Sequence, residues 1–142
     1  MLALALAFML QGPTLDVCRR FTPAEVGTVL GAPPTKPGAA KLRSTCSWGV
    51  PGTVLTISAV DIQNPAAAAA MVGAAKSTAR KGDVVKDEPG GAVSMIAANG
   101  RTVEYLYAAG PYLWRLVVES GDKVIRADTT LAALRKLAAK SR

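Results

Sequence analysis

"AVSMIAANGRTVEYLYAAGPYLWRLVVES", residues 92 to 120, decides the fold. It reads as three strands, 92–98, 101–108 and 112–120. Asn99-Gly100, between the first two, is the strongest short hairpin signal a sequence carries. In the second strand Val103, Tyr105 and Tyr107 fall on one face, and in the third Tyr112, Trp114, Leu116 and Val118 do the same. That period of two predicts half-buried antiparallel strands. Glu104 lies opposite the tyrosine face and Arg115 opposite the tryptophan face. The two are expected to pair across neighbouring strands.

Upstream, "LRSTCSWGV" (42–50) again alternates, with Leu42, Cys46 and Trp48 on one face. A "VPGT" turn returns the chain into "TVLTISAV" (53–60), whose inner face is Leu55, Ile57 and Ala59. "NPAAAAAMVGAAKSTARKG" follows, with Asn64 as cap, Pro65 at the first helical position and Gly82 as a candidate end. Its apolar stripe is thin: Ala68, Met71, Val72, Ala75 and Ala79. "GDVVKDEPGG" reads as a loop.

The first helix is signposted by chemistry. Thr22 is an N-cap, Pro23 sits at the first position, and Glu25 stands three after the cap, a capping box. Gly31 ends it, with Pro33 and Pro34 beyond. The last helix starts around Asp128 or Thr129 and buries Leu131, Leu134, Leu137 and Ala138. The expected architecture is therefore α+β, in the order α-β-β-α-β-β-β-α. It has an antiparallel sheet of about five strands with helices packed on one face.

Residues 1–15 open with "MLALALAFML", an apolar run shorter than a bilayer span and similar to the central part of a secretory signal. Residues 16–142 then form one α+β domain, and a secreted or extracytoplasmic location is expected. Half of the 142 residues are apolar, enough for a core. The net charge of +7 is scattered rather than gathered into a dense aromatic-laced patch, so nucleic acid is not the expected partner. Histidine is absent, which removes Ser-His-Asp and Cys-His machinery. Two cysteines alone do not make a four-ligand zinc site. No metal, cofactor or catalytic residue is assigned.

Cys18 precedes the first helix and Cys46 faces inward beside Trp48, which in an exported protein reads as a disulfide. Two buried thiols or a redox pair are the alternatives. Val17 before Cys18 fits acylation of that cysteine poorly.

Residues 18 to 60 also resemble small exported actinobacterial proteins of the DUF3558 family, many of them lipoproteins. The resemblance rests on Cys18, the Phe21–Val26 helix start, Leu30-Gly31, and "STCSW" with Cys46 and Trp48. It implies export and a disulfide, and no activity.

Other candidate chemistry is thin. Asp83, Asp87 and Glu88 share one loop and could hold a cation, although Lys81 and Lys86 intrude and a solvated loop is the simpler reading. An enzyme without histidine would need carboxylate or lysine chemistry, such as Glu88 with Lys86, and no spacing supports it. The "EPGGA" glycines could bend near a ligand or simply turn a corner. Tyr107, Tyr112 and Trp114 could be core or the rim of a groove. The function expected is a non-catalytic envelope module binding a protein partner or small apolar ligand. A structural or accessory secreted protein is the alternative, and membrane association is expected only through an upstream anchor.

Overall fold

The computed structural model describes residues 15–35 and 44–142. The signal-like run and Leu42 lie outside them. Among the described residues four α-helices and six strands follow in order: α1 (Val17–Arg20), α2 (Pro23–Leu30), β1 (Thr45–Val50), β2 (Thr53–Asp61), α3 (Pro65–Ala74), β3 (Val84–Asp87), β4 (Val93–Ile96), β5 (Thr102–Ala109), β6 (Tyr112–Ser120) and α4 (Ala127–Ser141). The strands form one antiparallel sheet in the order β1-β2-β6-β5-β4-β3.

Local chemistry sets the element ends as expected. Thr22 Oγ1 accepts from the Glu25 N–H at 3.2 Å, and Glu25 accepts from the Thr22 N–H at 2.8 Å, closing the capping box of α2. Gly31 takes the left-handed conformation at φ 77° and donates back to the Gly27 carbonyl. Only glycine enters that region without a Cβ penalty. The β4–β5 connection is longer than a two-residue loop. The Gly100 N–H closes on the Ala97 carbonyl at 2.8 Å, and Gly100, not Asn99, carries positive φ. The Ala97 N–H donates to the Thr102 carbonyl at 3.0 Å, so four residues, 98–101, join the strands around this turn.

A short helix, α1, is added before the expected first one and holds Cys18 itself, and two further features depart from expectation. "VVKD" is a fourth strand of the meander rather than part of a loop, giving six strands instead of about five. Its ladder to β4 supplies the order that its four residues lack by themselves. The second departure concerns the faces of the sheet. Residues paired across antiparallel strands share a face. Cys46, Trp48, Leu55, Ile57, Tyr105, Tyr107, Trp114 and Leu116 therefore make a front face, which packs with α1, α2 and α4 in the main core. α3 packs on the opposite face: Val72 joins Val93 and Leu106 in a second buried cluster flanked by Ala108 and Leu113. The helices are thus not all on one side.

α3 also ends early. It stops at Ala74 and tightens into a 3₁₀ turn over Ala75–Thr78, with Met71 largely exposed. Gly82, at φ 92°, belongs to the turn into β3 rather than to the helix cap.

Candidate functional site

The two cysteines join. Cys18 and Cys46 are bonded at 1.98 Å with their Cα atoms 5.1 Å apart, tying α1 to β1 beneath the front-face helices. No free cysteine is left. A sulfur committed to a disulfide cannot also carry a lipid thioether, so Cys18 is a staple and not an anchor. A disulfide of this kind belongs to an oxidising, non-cytoplasmic environment.

The aromatic candidates are core. Tyr107 is fully buried and Trp114 is 2% exposed. Their rings stack at 6.0 Å with 3° between planes, and Phe21 meets Trp114 edge-on at 6.1 Å. Burial pushes the Tyr107 phenol up to about 12, so it stays neutral at physiological pH. Tyr112 is half-buried at the edge of the same core. Side chains fill the space around these rings, and the front-face cleft of about 340 Å³ between the end of α2 and the start of α4 is lined by none of the three.

The acidic loop residues separate. Asp83 spends both oxygens on backbone, accepting from the Arg80 N–H at 2.8 Å and the Ala98 N–H at 3.0 Å. Asp87 pairs with Lys76 from the end of α3. Glu88 turns to the front, accepting two bonds from Arg135 of α4 at 2.7 and 3.0 Å and one from Ser94 at 2.8 Å. Among the described residues no three potential metal-ligating side chains gather. Glu88 is bound to Arg135, not poised against Lys86.

That Glu88 clamp makes a prediction. The Arg135 guanidinium, against the opposing effect of burial, holds the Glu88 carboxyl below its ordinary 4.5. A depressed folded value stabilises fully above the unfolded one and is lost as pH falls through the folded one. Arg135→Met strands a carboxylate whose side chain is only 4% exposed. Because the Arg135 side chain is itself 44% exposed, the expected loss is discounted to about 1–3 kcal/mol at pH 7. Burial then raises the Glu88 carboxyl, so the gap to wild type should narrow as pH falls from neutral towards 4.5. Urea titrations across that range check it; a gap constant with pH contradicts the clamp.

The back of the sheet holds a different arrangement. α3 covers β5, β6 and the Val93 end of β4, but leaves the backs of β1 and β2 open. Between the 3₁₀ turn and the backs of β4, β5 and β6 at their hairpin end runs a groove of about 660 Å³, lined by Met95, Thr102 and Glu104 from the sheet and by Arg80, Lys81 and Asn99 from the turns. Arg115 crosses it. As expected from sequence, Arg115 pairs with Glu104, here by two bonds at 2.5 and 3.2 Å. Glu104 lies opposite Val117 and Arg115 opposite Leu106, so the pair is a diagonal one on the back face. Its bonds to Glu104 raise the affinity of the guanidinium for its proton and fix its plane. The Glu104 side chain is 14% exposed while that of Arg115 remains 54% exposed. Sequence reading found the pair but missed the groove. Leu106, Leu113 and Val117, alternating with the front-face aromatics, were the available signal. A strand apolar on both faces is covered on both.

No family model matches the chain, and no curated protein or solved structure is significantly similar to it.

Proposed function

We propose that this chain is a non-catalytic binding module of the cell envelope, engaging a protein partner through the groove on the back of its sheet. One observation carries the reading. The front face is packed against three helices apart from a cleft of about 340 Å³ where Val118 meets the end of α2 and the start of α4, while the back face is roofed by α3 over only part of its length and opens beyond it into the groove of about 660 Å³. Ordinary antiparallel sheets leave one face to solvent. Here that face is partly roofed and shaped, with an ion pair fixed across its floor.

Two further features support it. The carboxylates singled out from the sequence are each engaged: Glu88 by Arg135 and Ser94, Asp83 by backbone N–H groups, Asp87 by Lys76 and Glu104 by Arg115. Such groups hold structure rather than stand ready as general acids or bases. The disulfide and the resemblance of residues 18–60 to exported proteins support an extracytoplasmic setting.

Photo-cross-linking tests the reading. A photoreactive residue in place of Thr102 on the groove floor is compared with one at Ala132, exposed on the outside of α4. In a native-like host the Thr102 position should yield one discrete adduct that excess unlabelled protein competes away. The Ala132 position should not. Equal or absent adducts at both positions would leave a structural or accessory protein instead.

A further inference from the structure

We propose that the front-face cleft, between the end of α2 and the start of α4, is a binding site for a small aliphatic carboxylate. The cleft lies on the side of the sheet opposite the groove, so the two sites stand or fall separately. Its volume of about 340 Å³ is at the small end of the range that holds low-molecular-weight ligands. One wall is the N-terminus of α4. The first N–H groups of any helix have no partner within it. In α2 and α3 the side chains of Thr22 and Asn64 accept from them. α4 has Arg126 at that position, and no side chain accepts there. The Thr130 N–H reaches the Arg126 carbonyl at 3.1 Å. Those of Ala127, Asp128 and Thr129 stay unpaired among the described residues. They stand at the positive end of a 15-residue helix.

An uncapped helix end is not yet a site, and Thr130 supplies the second observation. It lines the same cleft, it is only 7% exposed, and its hydroxyl bonds to no group among the described residues. Nor is that oxygen one of the two orphans sealed from solvent, which belong to Tyr107 and Ser141. The little surface it keeps therefore opens on the cleft. A hydroxyl so placed is costly unless a ligand bonds it. The charges agree in sign. Lys123 and Arg126 are the charged residues of the lining, both exposed, and neither pairs with a carboxylate among the described residues. Asp128, in the first turn of α4, does not line the cleft, and Asp122 turns to Ser120 at 3.4 Å. Val29, Val118 and Ile125 give the cleft an apolar part, which suits an aliphatic body rather than a bare inorganic anion. The opposite wall is the last turn of α2. It carries no basic residue, and its Thr28, Val29 and Leu30 carbonyls accept no hydrogen bond among the described residues. An ammonium group beside the carboxylate would meet them, so an aliphatic amino acid fits the same chemistry as a simple branched acid.

The test is an NMR titration of the oxidised full chain with three probes. They are leucine, 4-methylpentanoate, which lacks its amine, and 3-methylbutylamine, which lacks its carboxylate. Saturable shifts of the Val118 amide and of amides 127–130 are expected with both carboxylates and not with the amine. Tighter leucine binding identifies the class as amino acids, tighter 4-methylpentanoate as simple organic acids. Thr130→Val, which keeps the shape and removes the hydroxyl, should weaken binding about tenfold. Lys123→Gln with Arg126→Gln, both exposed and so harmless to the fold, should also weaken it, while Arg80→Gln with Lys81→Gln at the groove should not. Arg126→Asp places a carboxylate of the chain's own on the free N–H groups. It should abolish leucine binding and raise the melting temperature together. Equal binding of the amine, unchanged binding by the Lys123 and Arg126 double variant, shifts gathered around 98–102 instead, or no saturable shift with either carboxylate overturns the proposal. A competed Thr102 adduct without carboxylate binding sinks the cleft site alone. Carboxylate binding without that adduct sinks the groove reading alone.

Discussion

Trp114→Ala is expected to cost about 3–5 kcal/mol of stability, the range for truncating a buried large aromatic. Trp114 is 2% exposed, stacked on Tyr107 and met edge-on by Phe21, so alanine there opens a cavity bounded by those two rings. The surrounding strands cannot collapse into it, because β6 is held on both sides, by β2 and β5. Urea denaturation followed by circular dichroism measures the loss. A folded variant with near-wild-type stability would put Trp114 back on a binding rim, which the packing denies.

Opening the Cys18–Cys46 bond is the second large effect. The staple closes a loop 28 residues apart in sequence. In the chain-entropy account that is worth about 2–4 kcal/mol. The double variant Cys18→Ala with Cys46→Ala is expected to lose that much, and to lose it equally in reducing and oxidising buffer. Wild type should approach the variant only after reduction, remaining above it by the packing of the Cys46 side chain. Cys46 is fully buried among Trp48, Leu55 and Ile57, so a part of the loss is packing and survives in any thiol state. No loss of a specific chemistry should accompany it. A variant as stable as the oxidised wild type would mean that the helix-to-sheet packing alone fixes the α1 end.

Much of the fold was legible because it is written in local chemistry. The capping box of Thr22 and Glu25, the left-handed Gly31 and the turn ending at Gly100 each follow from one or two residues whose backbone preferences are strong. The alternation from Val103 to Val118 fixed the front face and with it the diagonal Glu104–Arg115 pair. What escaped depends on distant partners. β3 has four residues, two of them charged, and is a strand only because β4 lies beside it. α3 is rich in alanine and carries no wide apolar stripe, so its own sequence does not say which side of the sheet it takes. Leu106 and Leu113 on β5 and β6 decide that. The groove follows from α3's placement and its early end at Ala74, and was invisible for the same reason. In the acidic segment, neighbours in sequence are not neighbours in space. Strand alternation sends Asp87 to the back and the following turn sends Glu88 to the front, towards Arg135.

The proposed binding module is an exported, disulfide-closed domain. Intact mass of the protein recovered from the envelope or medium of a native-like host, with and without reduction and alkylation, tests export and the Cys18–Cys46 bond together. The expected result is a chain shortened near residue 15 that takes up no alkylating agent until reduced and then takes up two equivalents. A full-length chain alkylated at both cysteines without reduction would contradict it, placing the protein in a reducing compartment where neither the staple nor an envelope partner belongs.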